Sequence, residues 1–507
     1  MLRISLGVLA LVLIASCTES PEPQPADTRS SDPRFDILFI AIDDLNDWVG
    51  HLGGHPQTQT PNIDRLAARG MAFTNAQSPS AICHAARTAI LTGLRPSTSG
   101  IYGNGPDWRN QEILRDKPTL PRFFRDHGYA THGAGKIFHA QTFTSNGFAG
   151  FNDTTAWDDF FPSIDRQLPD EFGPFSIPAN GNSWGRSFDW APLVAEDYAL
   201  ADGQVTSWVA ERILAAGDGP RFNAAGIYRP HQPWYVPERY FGQFPLDSII
   251  LPPHIADDLD DVPEFARRGA FNSLENHTWI LEEESRWREG VRAYLASVAY
   301  ADAMVGRLID ALDASGRADR TIIVLWGDHG FHLGEKERWQ KYTLWGESLH
   351  VPLVVVAPGV TQPGSTAGVP VSLMDIYPTL AELAGLEPPE HVEGRSLVPL
   401  LEDPSIEWNH PTLSTYGFGN HAVVSSRYKY IRYSDDSEEL YDLVEDPNEW
   451  TNLAGGEQFE KVTQELAAYL PAVDAPNLGG AGAGAGRAGG VGRGRAGGAG
   501  GDGEAGE

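Results

Sequence analysis

The stretch Ile37-Leu38-Phe39-Ile40-Ala41-Ile42 runs without a polar break into Asp43-Asp44, and Thr321-Ile322-Ile323-Val324-Leu325-Trp326 runs the same way into Gly327-Asp328-His329-Gly330. A strand with one wet face alternates apolar and polar side chains, whereas continuous β-branched runs belong to central strands covered on both faces. Both stretches therefore predict buried strands of one sheet, and both end in carboxylates. Ligands of open α/β sheets sit beyond the carboxyl ends of the strands, which places Asp43, Asp44, Asp328 and His329 where chemistry is expected.

Three further runs lie outward from these. Tyr129-Ala130-Thr131 precedes Lys136 and His139, and Ala224-Ala225-Gly226-Ile227-Tyr228 precedes Arg229-Pro230-His231. Pro352-Leu353-Val354-Val355-Val356-Ala357 ends at Pro358-Gly359. Between the runs, Thr60-Pro61 opens and Gly70 closes a helical pattern, and Arg292 to Ala314 carries helical apolar spacing up to Gly316. The expected fold is α/β, a mainly parallel sheet flanked by helices over residues 34–400. Beyond about Leu400 the pattern changes to short alternating strands, Ala422–Ser425, Tyr428–Tyr433 and Glu439–Leu443, followed by a helix over about Phe459–Leu470. Residues 401–475 thus read as a small C-terminal α+β domain, an antiparallel sheet plus a helix.

The 507 residues carry Lys plus Arg 38 against Asp plus Glu 68, a formal net charge of −30. So acidic a surface argues against nucleic acid as the partner. Residues 1–17 have Arg3 near the start and an apolar stretch from Ile4 to Ala15, too short to span a bilayer. They read as an export signal, and Ile14-Ala15-Ser16-Cys17 resembles a bacterial lipobox in which Cys17 would carry the lipid anchor. Residues 18–33, rich in Pro, Ser, Asp and Glu, read as a solvated tether, and residues 476–507, nearly all Gly and Ala, as a tail without a core. The expected location is the periplasm or cell surface.

With Cys17 used for lipid, Cys83 stands alone, so no disulfide within the mature chain can explain it. It opens Cys83-His84-Ala85-Ala86-Arg87-Thr88-Ala89-Ile90-Leu91-Thr92-Gly93, a pattern of about two helical turns closed by glycine. A helix N-terminus favours anions, and Arg87 at i+4 falls on the same face. Taken singly, a buried thiol beside an arginine is ordinary; beside two strand ends bearing Asp43, Asp44, Asp328 and His329 it is not. Three carboxylates with one imidazole suit a hard divalent cation, calcium before magnesium, with zinc or manganese admitted by the histidine.

These residues resemble the type I sulfatases of the alkaline phosphatase superfamily, most closely the iduronate-2-sulfatase-like branch. The likeness is carried, in order, by the Asp43-Asp44 strand, Asn62-Ile63-Asp64-Arg65-Leu66, the Cys83 motif, Thr92-Gly93-Leu94-Arg95-Pro96, Gly135-Lys136-Ile137-Phe138-His139 and Arg229-Pro230-His231. It continues through Gly327-Asp328-His329-Gly330, Leu333-Gly334-Glu335, Trp339-Gln340-Lys341-Tyr342 and Glu439-Leu440-Tyr441-Asp442-Leu443.

The resemblance implies an alkaline-phosphatase-like fold and conversion of Cys83 to formylglycine (3-oxoalanine) by a maturation enzyme. The signature is Cys-x-Pro-x-Arg or, less often, Cys-x-Ala-x-Arg, and here Ala85 takes the middle place. It further implies one cation, Ca2+, on Asp43, Asp44, Asp328, His329 and the modified residue 83. Arg87 would hold the nucleophile, Lys136 and Lys341 would clamp the sulfate, His231 would protonate the departing sugar oxygen and His139 would assist release of sulfate. The implied activity is hydrolysis of sulfate esters in saccharides. Trp108, Arg109, Trp234, His332 and Arg338 are candidate sugar contacts, because aromatic faces and cationic forks suit sulfated sugars. Two other functions fit the same residues: a phosphonate or phosphate monoester hydrolase on the same scaffold, and a lipoprotein that binds sulfated glycans without turnover if Cys83 stays a thiol.

Overall fold

The computed structural model describes residues 34–140, 150–162, 178–182, 188–269 and 273–478. The expected signal segment with Cys17, the tether 18–33 and the tail from residue 479 onward lie outside them. Among the described residues no helix is long and apolar enough to cross a membrane.

Among the described residues nine strands form the central sheet: β1 (Asp36–Ile42), β2 (Met71–Gln77), β3 (Ala130–Gly135), β4 (Asp159–Phe161), β5 (Arg221–Ile227), β6 (Thr321–Gly327), β7 (His350–Val356), β8 (Ser365–Ala367) and β9 (Val371–Ser372). Their order is β8-β2-β7-β6-β1-β5-β3-β4, with β9 also on β2. All neighbours run parallel except β7, which is antiparallel to both β2 and β6. The run Pro352–Val356 is thus a strand as expected, but of opposite sense. Its connection from β6 holds only the four-residue α-helix Gly346–Leu349, too short to carry the chain back across the sheet, so β7 itself returns.

β1 shows why its sequence lacks polar positions. Leu38, Ile40 and Ile42 enter one core, shared with the helix α3 (Glu284–Ala314), while Ile37, Phe39 and Ala41 enter the other. The second core also holds Ile90 and Leu91 of α2 (Cys83–Thr92). Both faces are dry, and truncating a residue such as Leu38 to Ala would cost about 2–5 kcal/mol. The short helix α1 (Pro61–Ala67) follows the expected Pro start, whereas α3 begins at Glu284 rather than Arg292.

The C-terminal sheet is an antiparallel meander of four strands, β10 (Thr412–Thr415), β11 (His421–Val424), β12 (Tyr428–Arg432) and β13 (Glu438–Asp442). Three match the expected strands and β10 is additional. Val423, Tyr430 and Leu440 on one face pack Leu466 of the helix α4 (Glu460–Ala467). Ala422, Ile431 and Tyr441 on the other pack Ala81, Trp345 and Leu349 of the large domain, so this sheet lies against the segments beside Cys83 and Lys341. Past the expected end at residue 475 the chain is still tied down, with Leu478 N–H donating to Gly100 O at 3.2 Å.

Candidate active site

The register across β5, β1 and β6 sets Ile227, Ile42 and Gly327 side by side. The ladder extends one rung further: Asp43 N–H donates to Ile227 O and Asp328 N–H to Ile42 O, each at 3.1 Å. Asp43 and Asp328 therefore leave the sheet level with each other. In an extended strand the next side chain would point to the other face. Asp44 instead has φ 59°, a left-handed conformation that turns its carboxylate back toward that of Asp43. The turn is held by its N–H on Asp328 Oδ1 at 3.1 Å and by the Tyr294 hydroxyl, which donates to its carbonyl at 2.8 Å.

α2 starts at Cys83 and is buried along its whole length, ending at Gly93, whose φ of 77° needs a residue without a side chain. The free Cys83 Sγ lies 3.1 Å from His329 Nε2 and 3.2 Å from Lys341 Nζ. One turn along, Arg87 spans two strand ends, with Nε to Asp328 Oδ2 at 2.7 Å and Nη2 to Asp43 Oδ1 at 3.2 Å. Its Nη1 donates to the carbonyls of Lys136 and Ile137, which locks the backbone after β3. Lys136 Nζ pairs with Asp43 Oδ2 over the Tyr228 ring, and Lys341 Nζ donates to Asp44 Oδ1 at 2.5 Å. His139 is half-buried and close enough to Cys83 to feel its charge, and its Nδ1 has no hydrogen-bond partner among the described residues. His231 pairs Nδ1 with Gln232 O at 2.5 Å and turns Nε2 toward Asp44 Oδ2, 4.0 Å away. Its side chain is 20% exposed, against at most 4% for Asp43, Asp44, Arg87, Lys136, Asp328, His329 and Lys341. The cavity thus meets solvent at His231.

Charge sets the state of each group. Burial pushes the Cys83 thiol up, but Lys136, Lys341 and His329 outweigh it and hold the thiol well below its ordinary range. Burial raises Asp328 to about 7 despite Arg87, whereas the cations around Asp43 overcome its burial and hold it low. His329 is raised to about 9, because Asp328 and Cys83 more than offset its desolvation. Burial pulls His139 below its ordinary value, which favours a neutral imidazole.

One ligand atom each from Asp43, Cys83, Asp328 and His329 lie within 4.8 Å of one another, as do those of Asp43, Asp44, Cys83 and His231. The carboxylates of Asp43, Asp44 and Asp328 face the cations of Arg87, Lys136 and Lys341, so a divalent ion would leave the cavity positive. Oxygen-rich donors in a buried, pre-formed cluster fit a hard cation. An anionic ester would then be drawn to this buried positive cavity of an acidic chain.

The proposed sugar contacts are corrected. Trp234 is fully buried, with Nε1 donating to Pro230 O at 2.6 Å, and Trp108 is buried with Nε1 on Phe151 O at 2.7 Å. His332 is buried against the Thr343 hydroxyl at 2.7 Å, and Arg338 is buried with Nη2 on Arg267 O at 2.6 Å. These four are buried, with those bonds made inside the protein, and they offer no open face to a ligand. Arg109 is part exposed, its fork taken by Asp107 at 2.8 and 2.7 Å. Sequence reasoning missed Tyr294, Tyr228 and Ser78, the last donating to the Asp328 carbonyl at 2.5 Å. Nothing in the sequence marks them, because each acts through a long-range contact.

Residues 36–386 match the Sulfatase family, and residues 334–475 match the family described as N-sulphoglucosamine sulphohydrolase, C-terminal. A protein of Formosa agariphila named "Sulfatase" is 38% identical over 455 residues, covering 87% of each chain. The human iduronate 2-sulfatase is 28% identical over 488 residues, covering 82% of this chain and 84% of that one. A solved structure of a protein in complex with its substrate D-glucosamine-2-N,6-O-disulfate shares the fold at a TM-score of 0.67, with 23% identity over 86% of this chain and 96% of that one. Matched over most of its length by that family and by named sulfatases, the chain belongs to the type I sulfatases of the alkaline phosphatase superfamily and is a sulfuric ester hydrolase.

Proposed function

We propose that this sulfatase removes sulfate esters from saccharides, using formylglycine made from Cys83 and one calcium ion held by Asp43, Asp44, Asp328 and His329. The observation that carries the reading is the position of Cys83 Sγ, at the start of α2 and within hydrogen-bond range of both His329 and Lys341. When present, the hydrated aldehyde supplies an oxygen nucleophile and the cation supplies charge for the sulfate oxygens. The chain's own residues do the rest. An ammonium has three donors, and Lys136 and Lys341 each spend at least one on a carboxylate, which leaves others for sulfate oxygens as charge builds on them. Arg87 fixes Asp43 and Asp328 at their spacing, so the ligand atoms are placed before anything binds. His231 keeps Nδ1 on a carbonyl and presents Nε2 at the mouth, where a proton can pass to the leaving sugar oxygen. His139, held neutral against residue 83, can accept the proton whose loss expels sulfate.

A saccharide substrate is supported by the names of the human relative and of the ligand in the solved neighbour, both sulfated sugars. We further propose that residues 1–17 export the chain, that Cys17 anchors it by lipid in the periplasm or at the cell surface, and that a formylglycine-generating enzyme is its maturation partner. Peptide mass spectrometry should find residue 83 converted from thiol to aldehyde. Assays on matched sulfate and phosphate monoesters should show sulfate cleavage that a chelator abolishes and calcium restores. A persistent thiol in fully active protein would refute the mechanism, and cleavage of phosphate esters alone would favour the phosphohydrolase alternative.

A further inference from the structure

A cleft of about 440 Å³ lies between the end of α2 and the C-terminal segment, lined among others by Arg95, Arg395, Trp408, His410 and Tyr469. Arg95 comes just after Gly93, at the far end of α2 from Cys83. The ten residues of that helix, at about 1.5 Å each, separate the cleft from the catalytic cavity by roughly 15 Å.

The acids of the cleft are occupied. Glu393 accepts Arg95 N–H at 2.6 Å and the Thr98 hydroxyl at 2.7 Å. Asp375 accepts Arg395 N–H at 2.7 Å and Ser372 N–H at 2.9 Å. Arg395 gives only its backbone to that bond; its guanidinium is exposed and has no ion-pair partner among the described residues. Trp408 and His410 meet edge to face, with centroids 5.0 Å apart, and Tyr469 is 51% exposed beside them. Aromatic surface, an exposed cationic fork outside ion-pair range of any described acid and carboxylates already hydrogen-bonded are complementary to an anionic, ring-shaped ligand, and the volume is that of a small-molecule site. On a chain of net charge −30, the lining is less acidic than the whole: Arg95 and Arg395 balance Glu393 and Asp375.

We infer that this cleft is a second saccharide-binding site, taking a sulfated or carboxylated sugar apart from the one being hydrolysed, an assignment that rests on the saccharide reading above. The sugar is either the far end of the chain held in the catalytic cavity or part of a separate chain.

Calorimetric titration of the full chain carrying Cys83→Ala with a heparin tetrasaccharide excludes turnover and reads binding alone. Trp408→Ala and Arg395→Gln should each weaken one binding event about fivefold. The same loss with a heparin disaccharide assigns the cleft to a separate chain; loss confined to the tetrasaccharide assigns it to the far end of the substrate. In protein with Cys83 intact, both substitutions should leave kcat/KM on a small aryl sulfate within about twofold, since neither residue touches the catalytic cavity. Unchanged heparin affinity in both variants would overturn the inference, as would a parallel fall in aryl sulfate turnover. Should the parent cleave no sulfate ester at all, the saccharide-sulfatase reading fails on that count alone, while the heparin titration still reports on the cleft.

Discussion

Arg87 answers to two carboxylates and two carbonyls at once, which is more than a point charge can do. Its fork bonds Asp328 at 2.7 Å and Asp43 at 3.2 Å while Nη1 reaches the backbone at Lys136 and Ile137. A lysine would keep the charge and lose the geometry. Arg87→Ala would leave two buried carboxylates facing each other without their bridge, and breaking a buried pair costs about 3–5 kcal/mol. Urea unfolding should show a loss of that size in Arg87→Ala and a smaller one in Arg87→Lys, with kcat/KM down at least about 100-fold in both. Parent-like activity in the lysine variant would mean that the fork is dispensable. The residue pattern was legible here because Cys83 and Arg87 are one helical turn apart, a distance that sequence spacing encodes directly. Ser78 and Tyr294, which hold the backbones of Asp328 and Asp44, were not legible, since a hydroxyl that caps a carbonyl far away in sequence leaves no local mark.

At the scale of elements, the paired runs ending in Asp43 and Asp328 were readable because both faces of their strands are dry, a condition that dictates composition. The sense of β7 was not readable, because an apolar run looks the same in either direction and only the connection decides. The start of α1 shows a similar limit. Thr60 looks like its cap, yet the Thr60 hydroxyl accepts from Gly50 N–H at 2.8 Å, and the helix amides of Asn62 and Ile63 are received by Asp302 on α3 at 3.0 and 2.8 Å. Asp302→Ala should cost about 1 kcal/mol, as for other lost caps. Burial outweighs the amides and raises its carboxyl from 3.8 to about 6, so the folded state holds this proton more tightly than the unfolded one. The resulting stability is complete below 3.8 and is lost as pH rises through about 6. Asp302→Asn has no such titration. Chemical denaturation across that window should show the parent losing ground against Asp302→Asn as pH increases, and a constant difference would rule out Asp302 as the titrating group.

At the scale of the whole molecule, the small domain holds the segment that carries Lys341. Between Gly334 and Gly346 the chain takes positive φ at Lys336, Glu337, Gln340 and Tyr342, none of them glycine, so this path is strained and needs outside support. The support comes from Asp258 of the large domain and from the C-terminal sheet and the turn after it. Lys336 Nζ bonds Asp258 at 2.7 Å and the Glu449 carbonyl at 2.5 Å, Gly346 N–H donates to Glu449 Oε2 at 3.2 Å, and Trp345 Nε1 donates to Glu439 Oε2 at 2.8 Å. Glu449 is itself fixed by Lys429 Nζ on Oε1 at 2.8 Å. The variant Glu449→Gln keeps an acceptor for Gly346 but takes from the buried Lys429 ammonium the carboxylate bonded to it at 2.8 Å. It should lose about 3–5 kcal/mol by urea unfolding, the cost of breaking a buried pair from one side. Because Lys341 lies inside the strained segment, a loosened segment should also raise KM for a sulfate ester and lower kcat together. The double variant Glu449→Gln, Lys429→Met removes that ammonium too and should recover most of the stability but not the lost kcat, since Glu449 no longer anchors the segment as an anion. Recovery of both would reduce the small domain to a source of stability. Recovery of stability alone would mean that it positions the lysine beside Cys83.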